Sequence, residues 1–263
     1  MSTQPPLLSV EGLTKSYGGV HAVRGVSFAL AAGEILALIG PNGAGKSTCF
    51  DMLNGQISPD TGHIRLSGAD TTGKPPRAIW RLGVGRTFQI TATFPTMTVR
   101  ENVQVALVSH GGRLFNFWTT TQDFARAEAG RLLELVGMGG YADRPCGELA
   151  YGDLKRLELA IALANEPKLL LMDEPTAGMA PRERIELMRL TARIAREKSI
   201  GVLFTEHDMD VVFEHADRIL VLNRGTLIAQ GSPAEVRANR EVQAIYLGEG
   251  LVYDARHRDG ASA

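Results

Sequence analysis

The chain has 263 residues, with 28 Lys and Arg against 29 Asp and Glu. This length suits one α/β domain with a small subdomain, and the balanced charge without a basic run argues against nucleic acid as a partner. Cys49 and Cys146 lie far apart in sequence, so we expect reduced thiols and no disulfide. No apolar run reaches the roughly 20 residues that cross a bilayer, which predicts a soluble chain whose membrane contacts come through partners.

Short apolar runs rich in Val, Ile and Leu alternate with segments of helical period, which predicts an α/β fold. The predicted strands are 7–10, 26–30, 35–39, 169–172, 202–204 and 219–222. The runs 35–39 and 169–172 are apolar throughout, as in parallel strands covered on both faces. The first two runs are separated by glycine-bearing turns, which favours an antiparallel flank beside a mostly parallel sheet.

Between residues 94 and 144 the sequence has helical period, over 99–108 and 124–136. We therefore expect an α-helical subdomain, 94–144, inserted into an α/β core made of 7–93 and 145–248. Residues 249–263 are polar and small, and we expect a frayed C-terminal tail there.

A glycine-rich segment follows the apolar run 35–39 and matches G-x-x-x-x-G-K-[ST]. Glycines let the backbone turn its N–H groups inward, and the following helix adds the positive end of its dipole. Lys46 would place a cation on the outer phosphates, and Ser47 would offer a hydroxyl to Mg²⁺. The segment predicts a P-loop NTPase core that binds a nucleotide through Gly40, Pro41, Asn42, Gly43, Ala44, Gly45, Lys46, Ser47 and Thr48.

Two other predicted strands end in residues that suit nucleotide hydrolysis. Asp173 and Glu174 follow the run 169–172, and His207 follows the run 202–204. Because ligands of open α/β sheets collect at the carboxyl ends of the strands, we expect these side chains to meet. Asp173 fits Mg²⁺ coordination, Glu174 fits a general base, and His207 fits a donor to the γ-phosphate that orients the water.

Two further residues are weaker candidates on the sequence alone. Gln89 closes a short strand just before the helical insert, where it could touch Mg²⁺ or water. Tyr17 could stack on the adenine base, although a Tyr beside a turn also commonly serves packing.

Taken in order, these segments resemble the A-loop, Walker A, Q-loop, signature, Walker B and H-loop of ABC ATPases, over about residues 7–248. In this resemblance the signature, which acts on a partner's ATP, is Leu149, Ala150, Tyr151, Gly152 and Asp153. The resemblance implies a two-lobed ATPase that dimerises head to tail. Each ATP would lie between the Walker A segment of one subunit and the signature of the other.

The signature departs from the usual Leu-Ser-Gly-Gly-Gln of the family. Ala150 stands for the Ser that normally hydrogen-bonds the γ-phosphate, Tyr151 stands for a Gly, and Asp153 stands for the Gln. In the loop after Glu174, Ala180 stands where the family commonly carries an Asp. These differences bear on turnover at the composite site and on crosstalk between the two ATP sites.

The residues of the signature, of the stretch 205–209 and of the chain end 246–249 resemble those of the ATPases of branched-chain amino acid importers. That likeness implies a second ATPase subunit, as a heterodimer or possibly a homodimer, together with two permeases and, indirectly, a periplasmic solute-binding protein. The chain would then sit at the cytoplasmic face of the inner membrane, held there by the permeases. Phe115, Phe117 and Trp118 would contact a permease or cap the insert's own core.

Two other functions remain in view. The first is an ATPase for lipopolysaccharide export, whose signature is similar. The second is a non-transport ABC protein, but such proteins usually carry two cassettes or a long coiled coil, and this sequence shows neither.

Overall fold

The computed structural model of the chain describes residues 5–87, 93–110 and 119–248. Gln89, the aromatic residues Phe115, Phe117 and Trp118, and the predicted tail 249–263 lie outside these ranges. The strands are β1 (Leu8–Tyr17), β2 (Val20–Leu30), β3 (Ile35–Ile39), β4 (Thr61–Leu66), β5 (Ala69–Asp70), β6 (Val84–Thr87), β7 (Leu169–Asp173), β8 (Gly201–Thr205), β9 (Arg218–Asn223) and β10 (Thr226–Gly231). The helices are α1 (Lys46–Leu53), α2 (Pro76–Arg81), α3 (Val99–His110), α4 (Thr119–Leu135), α5 (Tyr151–Leu163), α6 (Pro181–Lys198), α7 (Met209–His215), α8 (Pro233–Ala238) and α9 (Arg240–Gly248).

The strands form two sheets. The larger sheet has the order β10-β9-β3-β8-β7-β6, in which the pairs from β9 to β6 are parallel and β10 is antiparallel. The smaller sheet, β2-β1-β4-β5, is antiparallel throughout. The predicted α/β class with an antiparallel flank is therefore confirmed, and that flank is a separate four-stranded sheet.

Strand β3 is buried along its whole length because it is covered on both faces. Ile35, Ala37 and Ile39 belong to one apolar cluster, whereas Leu36 and Leu38 point to the other side and belong to a second. The second cluster also contains the inner face of the small sheet, for example Val10 of β1. Side chains that alternate across one central strand thus join the helical layer to the small sheet.

Strands β1 and β2 extend beyond their predicted bounds and meet in a tight hairpin, where Tyr17 pairs with Val20. The prediction stopped early because polar residues such as Thr14 and Ser16 interrupt the apolar run. They continue the strand because the end of the hairpin is only partly buried, so backbone pairing needs no apolar side chain there.

The helices between 94 and 144 pack on the large-sheet side of the molecule. Helix α4 begins at Thr119, earlier than the predicted residue 124. The prediction started too late because the first residues of the helix are polar and carry no apolar period. Val103 of α3 and Leu133 of α4 are fully buried in the same cluster as Leu157 of α5. The helical segment therefore shares its apolar core with the helix that carries the signature.

Among the described residues, no helix is both long enough and apolar enough to cross a membrane.

The position of β8 between β3 and β7 generates a stability prediction. Val202 of β8 is fully buried, whereas Val20 of β2 is 68% exposed. Val202→Ala removes two buried methyl-sized groups and leaves a cavity, so we expect it to lower the free energy of unfolding by about 2 kcal/mol. The matched change Val20→Ala should cost less than about 0.5 kcal/mol. Urea unfolding followed by circular dichroism measures both, and equal losses would contradict the placement of β8.

Candidate functional site

Three neighbouring strands deliver the predicted site residues to one edge of the large sheet. β8 lies between β3 and β7, and all three run parallel. Gly40 follows the carboxyl end of β3, Glu174 follows that of β7, and Glu206 follows that of β8. The predicted meeting of the phosphate loop, the two carboxylates and His207 at this edge is therefore what the strand order produces.

The backbone of the phosphate loop requires glycine at two positions. Gly40 has φ 153°, and a Cβ there would lie 2.1 Å from the carbonyl oxygen of Leu222. Gly45, with φ 103°, would place a Cβ 2.3 Å from the carbonyl oxygen of Ala22. Helix α1 starts at the next residue, so the loop 40–45 ends on free backbone N–H groups at a helix N-terminus.

Lys46 is the first residue of α1 and is only 7% exposed. Its ammonium donates hydrogen bonds to the carbonyl oxygens of Gly40, at 2.7 Å, and Pro41, at 3.1 Å. The loop thus curves around its own lysine. Because the charge is held at the centre of this curve, an anion bound by the loop amides would meet it directly.

Asp173 and Glu174 are positioned by Thr205 on the neighbouring strand. The Thr205 hydroxyl donates to Asp173 Oδ1 at 2.7 Å. The backbone N–H of Glu174 in turn contacts both the carbonyl oxygen and the hydroxyl of Thr205, each at 3.1 Å. Glu174 has φ 47°, a left-handed conformation that a non-glycine residue adopts at a cost, as residues at functional sites often do.

The side chains of Glu174 and His207 are in direct contact. His207 Nε2 lies 2.9 Å from Glu174 Oε1, and the two side chains are 50% and 24% exposed. An ionised carboxylate only accepts hydrogen bonds, so the imidazole presents Nε2–H to it. The histidine therefore fixes the direction of a carboxylate that is still open to solvent.

Glu206 is a buried acid that the sequence analysis did not assign. It is 5% exposed, and its carboxylate accepts from the backbone N–H and the hydroxyl of Thr176, both at 2.7 Å, and from the N–H of His207 at 3.2 Å. Burial raises the pKa of Glu206, against those hydrogen bonds, and the charge of Glu174 raises it further. A Glu that directly follows an apolar strand and precedes His207 was the available signal.

Arg86 of β6 is a second residue that the sequence analysis did not assign. Its guanidinium lies 3.4 Å from Asp51 Oδ1 and 3.8 Å from Asp173 Oδ2, and its side chain is 12% exposed. A cation at this place partly balances Asp173 and ties α1 to the edge of the sheet. A single Arg inside a short strand was its only signal.

The residues proposed for Mg²⁺ have the donor chemistry that this ion prefers. Ser47 is exposed in the first turn of α1, and Asp173 offers Oδ2 while Oδ1 is held by Thr205. In the described parts of the chain, no three His, Cys, Asp or Glu side chains come together as a metal cluster. A hydroxyl and a carboxylate therefore fit Mg²⁺ only as a shared site, with phosphate and water oxygens completing the shell.

The predicted signature segment forms the N-terminus of α5, where Ala150 and Tyr151 are exposed, Asp153 is partly buried and Gly152 is buried. Ala150 is the N-cap residue and makes no side-chain hydrogen bond to the helix, as its methyl group requires. Leu149 is partly buried on the apolar cluster of the helical segment. Gly152 lies against Glu183 of α6, because a Cβ there would be 3.0 Å from the Glu183 carboxyl carbon.

Tyr17, the predicted adenine-stacking residue, lies at the end of β1. It is 48% exposed, with the Lys15 ammonium 5.7 Å from its ring centroid. Its hairpin leads through β2 to Ala22, whose carbonyl oxygen abuts Gly45 of the phosphate loop. Tyr17 is thus an accessible aromatic on the hairpin that borders the loop.

Comparison with known proteins identifies the family of the chain. The family described as ABC transporter matches residues 23–177, and a second, described as branched-chain amino acid ATP-binding cassette transporter, matches residues 226–252. A crystal structure of the ADP conformation of an ATP-binding cassette of an ABC transporter superposes with a TM-score of 0.84 at 30% identity, covering 93% of this chain and 100% of that one. The chain belongs to the ATP-binding cassette family of ABC transporters, and it is an ATPase.

Among individual proteins, the chain is similar to LivG, the high-affinity branched-chain amino acid transport ATP-binding protein. The identity to LivG of Salmonella typhimurium is 43% over 251 residues, covering 93% of this chain and 98% of LivG. BraF of Pseudomonas aeruginosa, with the same description, is 41% identical over 93% of this chain and 98% of its own length. The similarity therefore covers nearly the whole length of this chain and of both relatives.

The buried carboxylate of Glu206 generates a pH prediction. Because folding raises its pKa, the folded state binds the proton more tightly than the unfolded state, so its contribution to stability falls as pH rises from about 4.5 through the raised value. In Glu206→Gln this contribution is absent. We therefore expect the stability of the wild type, relative to the variant, to decrease as pH rises from 4.5 and to level off above the folded pKa.

Urea unfolding at intervals between pH 4.5 and 8 measures this difference. Glu197→Gln on α6, an exposed residue outside the site, is the control and should show no such trend. A relative stability of the wild type that rises with pH would mean that the hydrogen bonds from Thr176 and His207 outweigh burial.

Proposed function

We propose that this chain is the ATP-hydrolysing subunit of an ABC importer that powers uptake of branched-chain amino acids or related small polar solutes. The observation that carries the hydrolytic part is the contact of His207 with Glu174, 2.9 Å apart, at the sheet edge where the phosphate loop begins. The transported solute is inferred from the similarity to LivG and BraF over nearly the whole chain. That similarity favours import over lipopolysaccharide export and over a non-transport role.

In the proposed reaction, the loop amides of 40–45 and Lys46 hold the phosphates of ATP. Glu174 accepts the proton of the attacking water, and His207 would share its Nε2–H between Glu174, which it orients, and the γ-phosphate. Bond cleavage then yields ADP and phosphate, and the preformed loop requires little reorganisation when charge develops on the phosphate oxygens. Tyr17 would stack on the adenine base.

The proposed cofactor is Mg²⁺, which would neutralise charge on the phosphates. Ser47 and Asp173 would hold it, and Gln89, which lies outside the described residues, would complete the protein ligands. The hydrogen bond from Thr205 to Asp173 Oδ1 supports this assignment, because it fixes the carboxylate and leaves Oδ2, which lies 3.8 Å from the Arg86 guanidinium, without a bond to Thr205.

The proposed assembly is a head-to-tail dimer in which Leu149, Ala150, Tyr151, Gly152 and Asp153 face the partner's ATP. The partner is a second ATPase subunit, as a heterodimer or as a homodimer of this chain. Residues 7–248 would act as one ATPase domain with 94–144 as its helical insert and 249–263 as a tail. Two permeases would hold it at the cytoplasmic membrane face, and a periplasmic binding protein would deliver the solute.

The test of the hydrolytic assignment is Glu174→Gln. The amide keeps the size of the side chain but cannot accept the proton of water, so we expect turnover to fall about a hundredfold or more while ATP still binds. Phosphate release at saturating ATP and Mg²⁺ measures turnover, and a fluorescent ATP analogue measures binding. Wild-type turnover in this variant would refute the assignment.

Glu214→Gln is the matched control, since Glu214 of α7 is ion-paired with Arg189 outside the site. It should leave turnover within about twofold of the wild type, as surface ion pairs contribute little. The importer assignment has its own test: leucine, isoleucine and valine uptake into vesicles that contain the chain with the two permeases and the binding protein. ATPase activity without ATP-dependent uptake of any of these solutes would separate the enzyme from the proposed transport role.

A further inference from the structure

Tyr151 occupies a position where the family usually has glycine, and its ring lies on the loop that follows β7. A Cβ placed on Gly178 would be 3.3 Å from Tyr151 Cε1 and 3.6 Å from both Cζ and the phenol oxygen. The ring therefore covers the face of Gly178 directly. Gly178 has φ 77°, so the loop turns sharply where the ring covers it.

A residue of α5 also contacts the Tyr151 ring. The Lys155 ammonium lies 5.5 Å from the ring centroid and 3.0 Å from Glu158 Oε2, and the side chains of this Lys and Glu are 4% and 8% exposed. A buried ammonium with one carboxylate partner gains from an aromatic face. Tyr151 itself is 44% exposed, so one side of the ring packs inside the subunit and the other faces outwards.

The loop that Tyr151 covers, residues 175–180, leads back to the catalytic pair. The N–H of Met179 donates to the carbonyl oxygen of Thr176 at 3.1 Å, and Thr176 is buried against Glu206. Glu206 accepts from the backbone of His207, which contacts Glu174. The contacts are continuous from the signature to the proposed general base of the same subunit.

We propose that Tyr151 is a positioning residue for Glu174 of its own subunit, acting through the 175–180 loop. This rests on the proposed function, in which the same segment faces the ATP of the partner. Tyr151 then links the two ATP sites of the dimer within one chain. The residues beside it face the partner's nucleotide, and its ring orders the loop next to the general base of its own subunit. Ala180 stands in this loop where the family commonly carries an Asp, and the ring of Tyr151 contacts the same loop at Gly178.

Hydrogen exchange of the full chain without nucleotide tests the packing step. Tyr151→Gly removes the ring, so the amides of Ala177 and Met179 should exchange about fivefold faster. Tyr151→Phe keeps the ring and should exchange like the wild type. Thermal unfolding confirms that each variant is folded. Unchanged exchange of residues 175–180 in Tyr151→Gly would overturn the proposal.

Mixed dimers test the direction of action. Two copies of the chain with different affinity tags are purified as pairs in which one copy carries Glu174→Gln, so that a single general base remains. In the first arrangement Tyr151→Gly is on the copy that keeps Glu174. In the second it is on the Glu174→Gln copy, whose signature faces the ATP that is hydrolysed.

We expect the loss of kcat to be about fivefold larger in the first arrangement than in the second, with little change in KM for ATP in the first. Tyr151→Phe in the first arrangement should recover the lost kcat. A loss in the first arrangement no larger than in the second overturns the proposal. If dimers in which both subunits keep Glu174 turn over ATP no faster than dimers in which both carry Glu174→Gln, the proposed function fails. Hydrogen exchange then still decides whether the ring orders the loop.

Discussion

The parallel pairing of β7 with β8 is the constraint on which the site depends. Their register places Asp173 opposite Thr205, and this one threonine then contacts the side chain of Asp173 and the backbone of Glu174. A shift of one residue would turn these side chains to the other face of the sheet. Because β8 also pairs with β3, the same register sets the distance from the carboxylates to the phosphate loop.

Two residues at this edge are held in arrangements that cost free energy. Glu206 is a carboxylate with almost no exposure to water, and Glu174 has a left-handed backbone conformation. Three hydrogen bonds hold the first, and two hydrogen bonds from its own N–H hold the second. The position of Glu174, the proposed general base, is therefore set before a nucleotide binds, which is what electrostatic preorganisation requires.

Two adjacent residues of the signature segment differ from the usual family sequence in opposite ways: Ala150 lacks an interaction, and Tyr151 adds one. Ala150 cannot cap α5 or donate to phosphate, so the helix N-terminus relies on its backbone N–H groups alone. Tyr151, the next residue, adds an aromatic contact to Gly178 and an interaction with the buried Lys155. The segment thus makes an additional contact within its own subunit, while Ala150 offers no side-chain donor at the helix N-terminus.

The local motifs could be predicted from the sequence because each is a short segment with its own physical signal. The spacing of 40–48, the acids after the run 169–172 and His207 after the run 202–204 require only neighbouring residues to be recognised. The α/β class also follows from local period. The tertiary structure alone shows that Thr205 holds Asp173, that Glu206 holds Thr176, that Arg86 reaches Asp51, and that Tyr151 covers Gly178. These contacts join segments that are far apart in the chain, and the spatial order β3-β8-β7 differs from the order in the chain, so no local pattern contains them.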